Sequence, residues 1–397
     1  MSDKNIATAL PLTGARASEL HERFQRAGLS DEDSAILLKY RGESLVYLEC
    51  LEPDEAVYLK AESRKLGGEF LCGCRSGFSG AFLRIGKSRL EALAAEMARK
   101  YPESGRLAAC LKRIATGWRA PRWELPGMSL DLGGTPLVMG ILNVTPDSFY
   151  DGGRHFEPRQ AIDHAESMLD DGADIIDVGG ESSRPGAEPV EVGEEAARVL
   201  PVISGILERR PRAVISIDTY KADVTRLAVE AGAKIVNDIG AGRLDRSMLG
   251  TVAETGAAWV AMHMRGVPRN MQADTHYDDL PGELTGFFSE RLAAAESAGL
   301  TIDRIALDPG IGFGKSAGAN YELISSLDIF HSLGCPILVG PSRKSFLGGE
   351  SREARLEGTL AAVTVAVLRG AAVLRVHDVA ETVRTVRAAT RFRDVSS

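Results

Sequence analysis

The stretch Met139–Gly153, MGILNVTPDSFYDGG, changes from apolar to polar within a single residue. Met139, Ile141 and Leu142 have the character of a buried strand. Asn143 then begins a run of polar residues, proline and glycine that fits neither a core strand nor a helix. An amide at the end of a strand, followed by a long loop that holds the aromatic Phe149, is therefore a candidate functional position.

The same unit recurs from about Thr135 onward: a short apolar strand, a polar loop and an amphipathic helix. Helical stretches such as PRQAIDHAESMLDDG and KADVTRLAVEAGA carry apolar residues about four apart and end at glycine. Eight such units predict an α/β fold in which a closed (β/α)8 TIM barrel occupies residues 132–397. A doubly wound open sheet is the structural alternative, but eight near-equal units favour closure. The predicted strands are LVMGIL, DIIDV, AVISI, KIVN, AAWVAM, RIALD, PILVG and AVLRV.

Residues 1–125 have a different pattern, which predicts a small separate α/β domain. ESLVYLECL and GAFLRIG are typical of strands, whereas DEAVYLKAESRKLGG, SRLEALAAEMARKY and ESGRLAACLKRIA are typical of helices. The segment RAPRWELPG, with two prolines and a glycine, is interpreted as the linker between the domains. No catalytic constellation stands out in this N-terminal part, and the sequence does not indicate its function.

Length and composition limit the class of protein. With 397 residues, 44% of them hydrophobic, the chain is too long for one average domain. A net charge of -8 argues against general nucleic-acid binding, which usually needs a basic face. The longest apolar run, LAAVTVAVL, is too short to span a bilayer, and we expect no secretory signal. Five cysteines without regular spacing suit a reducing compartment, so we expect a cytoplasmic protein.

The ends of the predicted strands carry most of the chemistry. In a barrel, the carboxyl ends of the strands converge on one mouth, where active sites lie. Almost every strand ends in a polar or charged group, and capping of the following helix does not explain eight such ends in succession. In chain order the residues at these ends are Asn143, Asp177, Asp218, Asn237, Asp238, Met262, His263, Asp308, Arg343, Lys344, Arg375 and His377.

These residues sort by the kind of ligand that they suit. Two carboxylates and an amide, Asp218, Asp308 and Asn237, suit a flat heterocycle with several N–H donors, such as an aminopteridine. The basic residues that follow strands seven and eight lie where barrels commonly bind phosphate. Asn143 lies beside strand eight once the barrel closes, and its amide oxygen is suited to Mg²⁺ held against phosphate oxygens.

Eight short motifs occur in order from about Met139 to Val379: NVTPDSF, GGESSRPG, SIDT, IVNDI, MHMRG, DPGIGFGK, SRKS and RVHD. Together they resemble dihydropteroate synthase, the pterin-binding family of folate biosynthesis and the target of sulfonamides. The resemblance implies a transferase that joins (7,8-dihydropterin-6-yl)methyl diphosphate to 4-aminobenzoate and releases diphosphate and 7,8-dihydropteroate. It also implies Mg²⁺ as cofactor, a homodimer, and small-molecule partners rather than nucleic acid or membrane. It does not explain the N-terminal domain.

The resemblance implies a role for each matching position. The pterin would be held by Asp218, Asn237, Met262, Asp308, Lys344 and Arg375. The diphosphate would be held by Asn143, Arg375 and His377, with Mg²⁺ at Asn143. The aminobenzoate would lie near Phe149, Ser183, Pro185, Phe313 and Ser345. The residues expected to carry the chemistry are Asn143, Lys344, Arg375 and His377.

The sequence departs from the family pattern at Ser183, at Tyr150 and at Pro341, which stands before SRKS. Ser183 stands where threonine is usual, and Tyr150 follows Phe149 where serine is common. Because serine keeps the hydroxyl, we expect altered affinity for aminobenzoate or sulfonamides rather than lost activity.

Two other functions are alternatives. A methyltetrahydrofolate-binding barrel of the corrinoid methyltransferases shares the pterin cradle, but it binds no diphosphate and would not need NVTPDSF, SRKS or RVHD. A non-catalytic pterin-binding protein, with its function in the N-terminal domain, would have no reason to keep the basic residues of a leaving-group site.

Overall fold

The computed structural model describes residues 7–12, 17–38, 43–73, 80–145, 150–151, 155–156, 158–182, 189–349, 351 and 353–396. The chain divides into two compact units. The N-terminal unit comprises residues 1–119 together with 279–290 and 329–334, and the barrel unit comprises residues 120–278, 291–328 and 335–397.

The N-terminal unit contains a four-stranded antiparallel sheet in the order β1-β2-β4-β3. Its strands are β1 (Thr8–Pro11), β2 (Ser44–Glu49), β3 (Glu69–Cys72) and β4 (Ala81–Ile85). Its helices are α1 (Ala17–Ala27), α2 (Asp31–Leu38), α3 (Pro53–Lys65), α4 (Lys87–Lys100) and α5 (Gly105–Thr116). The sequence predicted β2, β4 and α3–α5 but neither the short outer strands β1 and β3 nor the first two helices.

Both faces of this sheet are covered by helices. Along β2, Val46 and Leu48 point into one apolar cluster with α3, α4 and α5. Leu45 and Tyr47 point into another cluster, with α1 and α2. Because successive side chains of a strand point to opposite faces, a strand buried on both faces reads as a continuous apolar run. This explains why the apolar stretch of β2 was recognisable from sequence alone.

The barrel unit contains eight parallel strands in the order β14-β13-β12-β11-β10-β7-β16-β15. The eighth barrel strand in the chain pairs with the first, through Arg375 and Met139. A parallel bridge between Leu307 and Ile337 joins the strands at the two ends of the spatial order, β14 and β15. The sheet is therefore closed, which confirms the predicted (β/α)8 barrel and excludes the open sheet. The strands are β7 (Leu137–Asn143), β10 (Ile175–Gly179), β11 (Val214–Asp218), β12 (Ile235–Asp238), β13 (Ala258–Met262), β14 (Ile305–Asp308), β15 (Leu338–Val339) and β16 (Val373–Val376).

One helix follows each barrel strand. The helices are α6 (Pro158–Asp170), α7 (Val192–Arg209), α8 (Ala222–Glu230), α9 (Met248–Thr255), α10 (Leu280–Ser297), α11 (Ala317–Ser325), α12 (Leu356–Leu368) and α13 (Val379–Ser396). After α8 the chain reverses at Gly232, whose φ of 111° is a conformation that favours glycine. Two short strands, β8 (Tyr150–Asp151) and β9 (His155–Phe156), pair between β7 and α6.

A β-hairpin covers the amino ends of the barrel strands. It consists of β5 (Arg122–Leu125) and β6 (Met128–Asp131). Trp123 is fully buried, and its Nε1 donates to the carbonyl oxygen of Arg304 at 3.0 Å. The ring belongs to a cluster with Ile175, Val214 and other first residues of barrel strands. The boundary between the two units falls inside RAPRWELPG, between Arg119 and Ala120, but the rest of this segment belongs to the barrel unit, and its Trp123 and Leu125 are buried in the core.

The predicted domain boundaries differ from the compact units. The prediction placed β5 in the N-terminal domain (1–125) and β6 before the start of the barrel (132–397), whereas the compact barrel unit begins at Ala120 and includes both strands. Among the helices that the structure describes, none is long and apolar enough to cross a bilayer.

Candidate active site

The carboxyl ends of the barrel strands surround a pocket, as the sequence predicted. Strand pairing sets side by side Asp218 with Asn237, and Met262 with Asp308. Seven of the residues predicted to bind substrate line this one pocket: Asp218, Asn237, Met262, Asp308, Phe313, Lys344 and Arg375. Ile239, Ile311 and Gly340 complete the lining.

A charged network forms the floor of the pocket. Arg375 donates from Nε to Asp177 and from Nη2 to Asp218, each at 2.6 Å. Asn237 donates from Nδ2 to the same Asp177 oxygen at 2.9 Å. Asp177 thus positions two of the predicted pterin ligands, although no role was predicted for it from the sequence. The signal was a carboxylate at the end of the apolar strand DIIDV, where only a buried partner explains its presence.

The carboxylates of the pocket are perturbed by burial. Burial raises the pKa of Asp308 to about 6, against the hydrogen bond that its Oδ1 accepts from the N–H of Gly310 at 2.7 Å. Burial also raises the pKa of Asp218, and the nearby Arg375 opposes this shift. Carboxyl groups with pKa values perturbed in this way, in a cleft, mark a candidate functional site.

The cations of the pocket are perturbed in opposite senses. Burial, followed by repulsion from Arg375, lowers the pKa of Lys344 to about 8. Burial also lowers the pKa of Arg375, but the neighbouring carboxylates, Asp177 first, outweigh it and raise that pKa above its usual value. The guanidinium therefore stays charged.

One wall of the pocket is apolar. Met262 and Ile239 belong to a buried cluster against which Phe313 packs. The Nζ of Lys344 lies 4.3 Å from the centre of the Phe313 ring. A pocket with acceptors on one side and flat, polarisable groups on the other suits a planar heterocycle with N–H donors at its edge.

A buried lysine stabilises the loop that carries Phe313. The Nζ of Lys315 donates to the carbonyl oxygens of Gly310 at 3.1 Å, Phe313 at 3.0 Å and His263 at 3.3 Å, and lies 3.0 Å from His263 Nδ1. Burial lowers the pKa of Lys315 to about 7 and that of His263 well below its usual value. His263 is thus a satisfied core group, and the final lysine of DPGIGFGK is a support for the pocket.

His377 lies beyond the pocket lining, after the last barrel strand. Its Nδ1 is 3.0 Å from the Oγ of Ser342. Burial lowers the pKa of His377 to about 3, and the positive charges of Arg375 and Arg343 add to the shift. At neutral pH this imidazole is therefore uncharged.

Arg343 differs from the sequence-based expectation that it belongs with the phosphate-binding cations. Its guanidinium donates to both carboxylate oxygens of Asp378, from Nε at 3.0 Å and from Nη2 at 2.5 Å. Its backbone N–H donates to Thr359 Oγ1 at 3.0 Å, and its φ is 57°. Through these contacts Arg343 stabilises the turn after β15. Asp378, which precedes α13, is the partner in this ion pair.

The remaining predicted site residues lie outside the pocket lining. Asn143 is half-buried at the end of β7 and pairs in register with Gly179. Ser345 is exposed and begins a short 3-10 turn, Ser345–Leu347. Phe149, Ser183 and Pro185 lie outside the described residues.

Comparisons with known proteins agree with this geometry. A family model described as a pterin binding enzyme matches residues 139–377. The dihydropteroate synthase of Escherichia coli K12 is 48% identical over 266 residues, which are 66% of this chain and 93% of the relative. A solved structure of Xanthomonas albilineans dihydropteroate synthase with 4-aminobenzoic acid has 43% identity and a TM-score of 0.64, and the match covers 70% of this chain and 99% of that one.

Another relative matches more of the chain than the barrel unit alone. A probable bifunctional folylpolyglutamate synthase/dihydropteroate synthase of Halobacterium salinarum is 40% identical over 350 residues, 85% of this chain and 42% of the relative. That span is longer than residues 120–397, so the similarity extends into the N-terminal unit. These relatives are synthases rather than corrinoid methyltransferases, which sets that alternative aside.

Proposed function

The chain belongs to the dihydropteroate synthase family of pterin-binding enzymes, and from this premise we infer how its barrel performs the reaction. The enzyme is a transferase that condenses (7,8-dihydropterin-6-yl)methyl diphosphate with 4-aminobenzoate to give 7,8-dihydropteroate and diphosphate. The observation that carries the assignment of residues is the single pocket lined by seven residues that the sequence had singled out.

The pterin ring would lie in this pocket, edge on to its acceptors. Asp218, Asn237 and Asp308 would accept its N–H groups, and Lys344 would donate to its carbonyl oxygen or ring nitrogen. Met262 would pack on the face of the ring. In this arrangement every polar edge of the heterocycle has a partner that is itself buried, which gives selectivity as well as affinity.

The chemistry at the leaving group is electrostatic. The bond between the methylene carbon and the diphosphate oxygen breaks, the amine nitrogen bonds to that carbon, and the amine proton leaves to solvent. Arg375 and the neutral imidazole of His377 would stabilise the negative charge that grows on the leaving diphosphate. The electron-rich pterin spreads the positive charge at carbon, so the amine attacks without a strong general base.

Mg²⁺ would accompany the diphosphate. No cluster of three or more histidine, cysteine or acidic residues suited to a metal occurs in the described ranges. The amide oxygen of Asn143 offers one neutral ligand, which fits an ion held mainly by substrate oxygens and water. Such an ion would neutralise charge on the leaving group when bound.

The aminobenzoate would lie at the pocket entrance. Phe313 lines the pocket. Ser345 is exposed and directly follows the pocket residue Lys344 in the sequence. Phe149, Ser183 and Pro185 are assigned to this subsite by their motifs. The homodimer and the cytoplasmic location likewise stay predictions.

The direct test is an assay for dihydropteroate formation from the two substrates, with and without Mg²⁺. We expect product and diphosphate in equal amounts, with the rate depending on Mg²⁺. Binding of the pterin substrate without product formation would overturn the catalytic assignment and favour the non-catalytic pterin-binding alternative.

A further inference from the structure

A buried serine contacts His377 twice at the ends of the last two barrel strands. Ser342 is 4% exposed, and its Oγ lies 3.0 Å from Nδ1 of His377. The backbone N–H of His377 donates to the same Oγ at 3.1 Å. Ser342 follows β15 and His377 follows β16, so these two bonds join neighbouring strand ends. The mechanism above gives Ser342 no role.

The contacts determine which ring nitrogen carries the proton. Since Oγ already accepts the backbone N–H, its own proton needs an acceptor, and Nδ1 is its one other partner in the described part of the chain. If Nδ1 were protonated, Oγ would accept twice and the buried O–H would have no acceptor, which is unfavourable. Ser342 therefore donates to Nδ1. Because the ring is uncharged, its single proton is then on Nε2.

We propose that Ser342 is a positioning residue that holds His377 as the Nε2–H tautomer, so that the ring offers the leaving diphosphate a donor. This rests on the proposed contact between His377 and the diphosphate. Nε2 has no hydrogen-bond partner among the described residues, which leaves it available to a ligand. A lone pair at Nε2 would repel phosphate oxygens, whereas an N–H bond strengthens as negative charge develops on them.

The tautomer is measured directly by two-bond ¹H–¹⁵N correlation NMR of the ligand-free full-length protein. The chain has seven histidines, and the ring signals of His377 are assigned by their loss in His377→Gln. We expect a pyridine-type shift for Nδ1 and a pyrrole-type shift for Nε2. In Ser342→Ala the Nδ1 signal should move toward the value of an unbonded nitrogen, and in Ser342→Thr it should stay. A pyrrole-type Nδ1 in the wild-type protein would overturn the proposal.

Kinetics test whether the tautomer matters. Ser342→Ala should lower kcat about tenfold, the effect of one lost hydrogen bond in the transition state, with an unchanged KM for 4-aminobenzoate. Ser342→Thr should recover most of the rate. Ser297→Ala, which removes an exposed hydroxyl bonded within α10, is the matched control and should leave the rate unchanged.

The two measurements separate this proposal from the function on which it rests. An altered Nδ1 signal in Ser342→Ala with an unchanged kcat would overturn the positioning role. Absence of product with the wild-type enzyme would overturn the proposed reaction, but the tautomer is read without substrate and would still be decided by the wild-type spectrum.

Discussion

At the scale of single residues, Asp308 gives the pocket a dependence on pH. Burial raises its pKa from 3.8 to about 6, so acidification through pH 6 protonates it and replaces an acceptor by a donor. The affinity for the pterin substrate should therefore fall below pH 6. Asp308→Asn should bind more weakly by about 1–3 kcal/mol and lose the part of this dependence that Asp308 contributes, while the buried Asp218 continues to titrate. Isothermal calorimetry between pH 5 and 8 measures the affinity of both proteins for the pterin substrate. Asp218→Ala is measured in the same way, as a variant of the other pocket carboxylate.

Protonation of Asp308 does not itself favour unfolding. The raised pKa means that between pH 3.8 and about 6 the folded protein binds more protons at Asp308 than the unfolded chain does. This group therefore stabilises the protein as the pH falls through that window. Wild-type affinity in Asp308→Asn, or equal pH profiles for the two proteins, would contradict the pterin assignment.

Some residues of the pocket could be predicted from the sequence, and others could not. Asp218, Asn237 and Asp308 were found because strand order alone brings strand ends together. The role of Asp177 was missed because its partner Arg375 is 198 residues away, and only the closed barrel joins them. Arg343 was grouped with phosphate-binding cations because charge is visible in a sequence, whereas its ion pair with Asp378 is not.

At the scale of elements, the end of β7 carries the proposed metal ligand. Asn143→Ala removes the one neutral oxygen that the strand offers to Mg²⁺, so it should lower the Mg²⁺-dependent rate and raise the Mg²⁺ concentration needed for half-maximal activity. Asn143→Asp, which restores an oxygen ligand, should recover Mg²⁺ dependence. Titration of the initial rate with Mg²⁺ checks both. An unchanged half-maximal concentration in the alanine variant would remove Asn143 from the metal site.

The β5–β6 hairpin should stabilise the barrel without taking part in the chemistry. Trp123→Ala empties a fully buried site at the amino ends of the strands and removes the bond to Arg304. We expect the free energy of unfolding to fall by about 3–5 kcal/mol, with an unchanged KM for both substrates. Trp118→Ala, at a half-buried tryptophan, should cost less. Urea denaturation measures the free energy of unfolding, and steady-state kinetics measure KM. A change in KM would show that the hairpin contributes to the active site.

The barrel elements were predictable for reasons that did not extend to this hairpin. Each barrel strand is buried on both faces, so its apolar run stands out, and a glycine often marks the end of the helix that follows. The hairpin sequence RWELPG mixes charges, proline and one aromatic, which is also typical of a linker. Trp123 is buried by contacts with residues such as Val214 that are distant in sequence. The local sequence pattern does not indicate these contacts.

At the scale of the whole molecule, the N-terminal unit does not end where the sequence composition changes. It includes residues 279–290 and 329–334. Within it, Arg23 forms an ion pair with Asp279, Ile329 packs against the cluster that contains Phe24, and Arg113 donates to the carbonyl oxygen of Ser332 at 3.1 Å. The unit is therefore assembled from the first 119 residues and two segments that lie within the barrel sequence, and the first 119 residues supply partners for those two segments.

Removal of the N-terminal residues should consequently lower stability more than it lowers catalysis. A chain that begins at Ala120 keeps the hairpin and every proposed ligand, so we expect it to retain the KM for both substrates. Its melting temperature should fall because Asp279 and Ile329 lose their partners. A chain that begins at Pro126 also loses β5 and Trp123, and it should melt lower still.

Circular dichroism and the dihydropteroate assay on both chains test this order. A chain from Ala120 that is folded but inactive would show that the N-terminal unit contributes to the reaction, and equal melting temperatures for the two chains would contradict the role given to the hairpin.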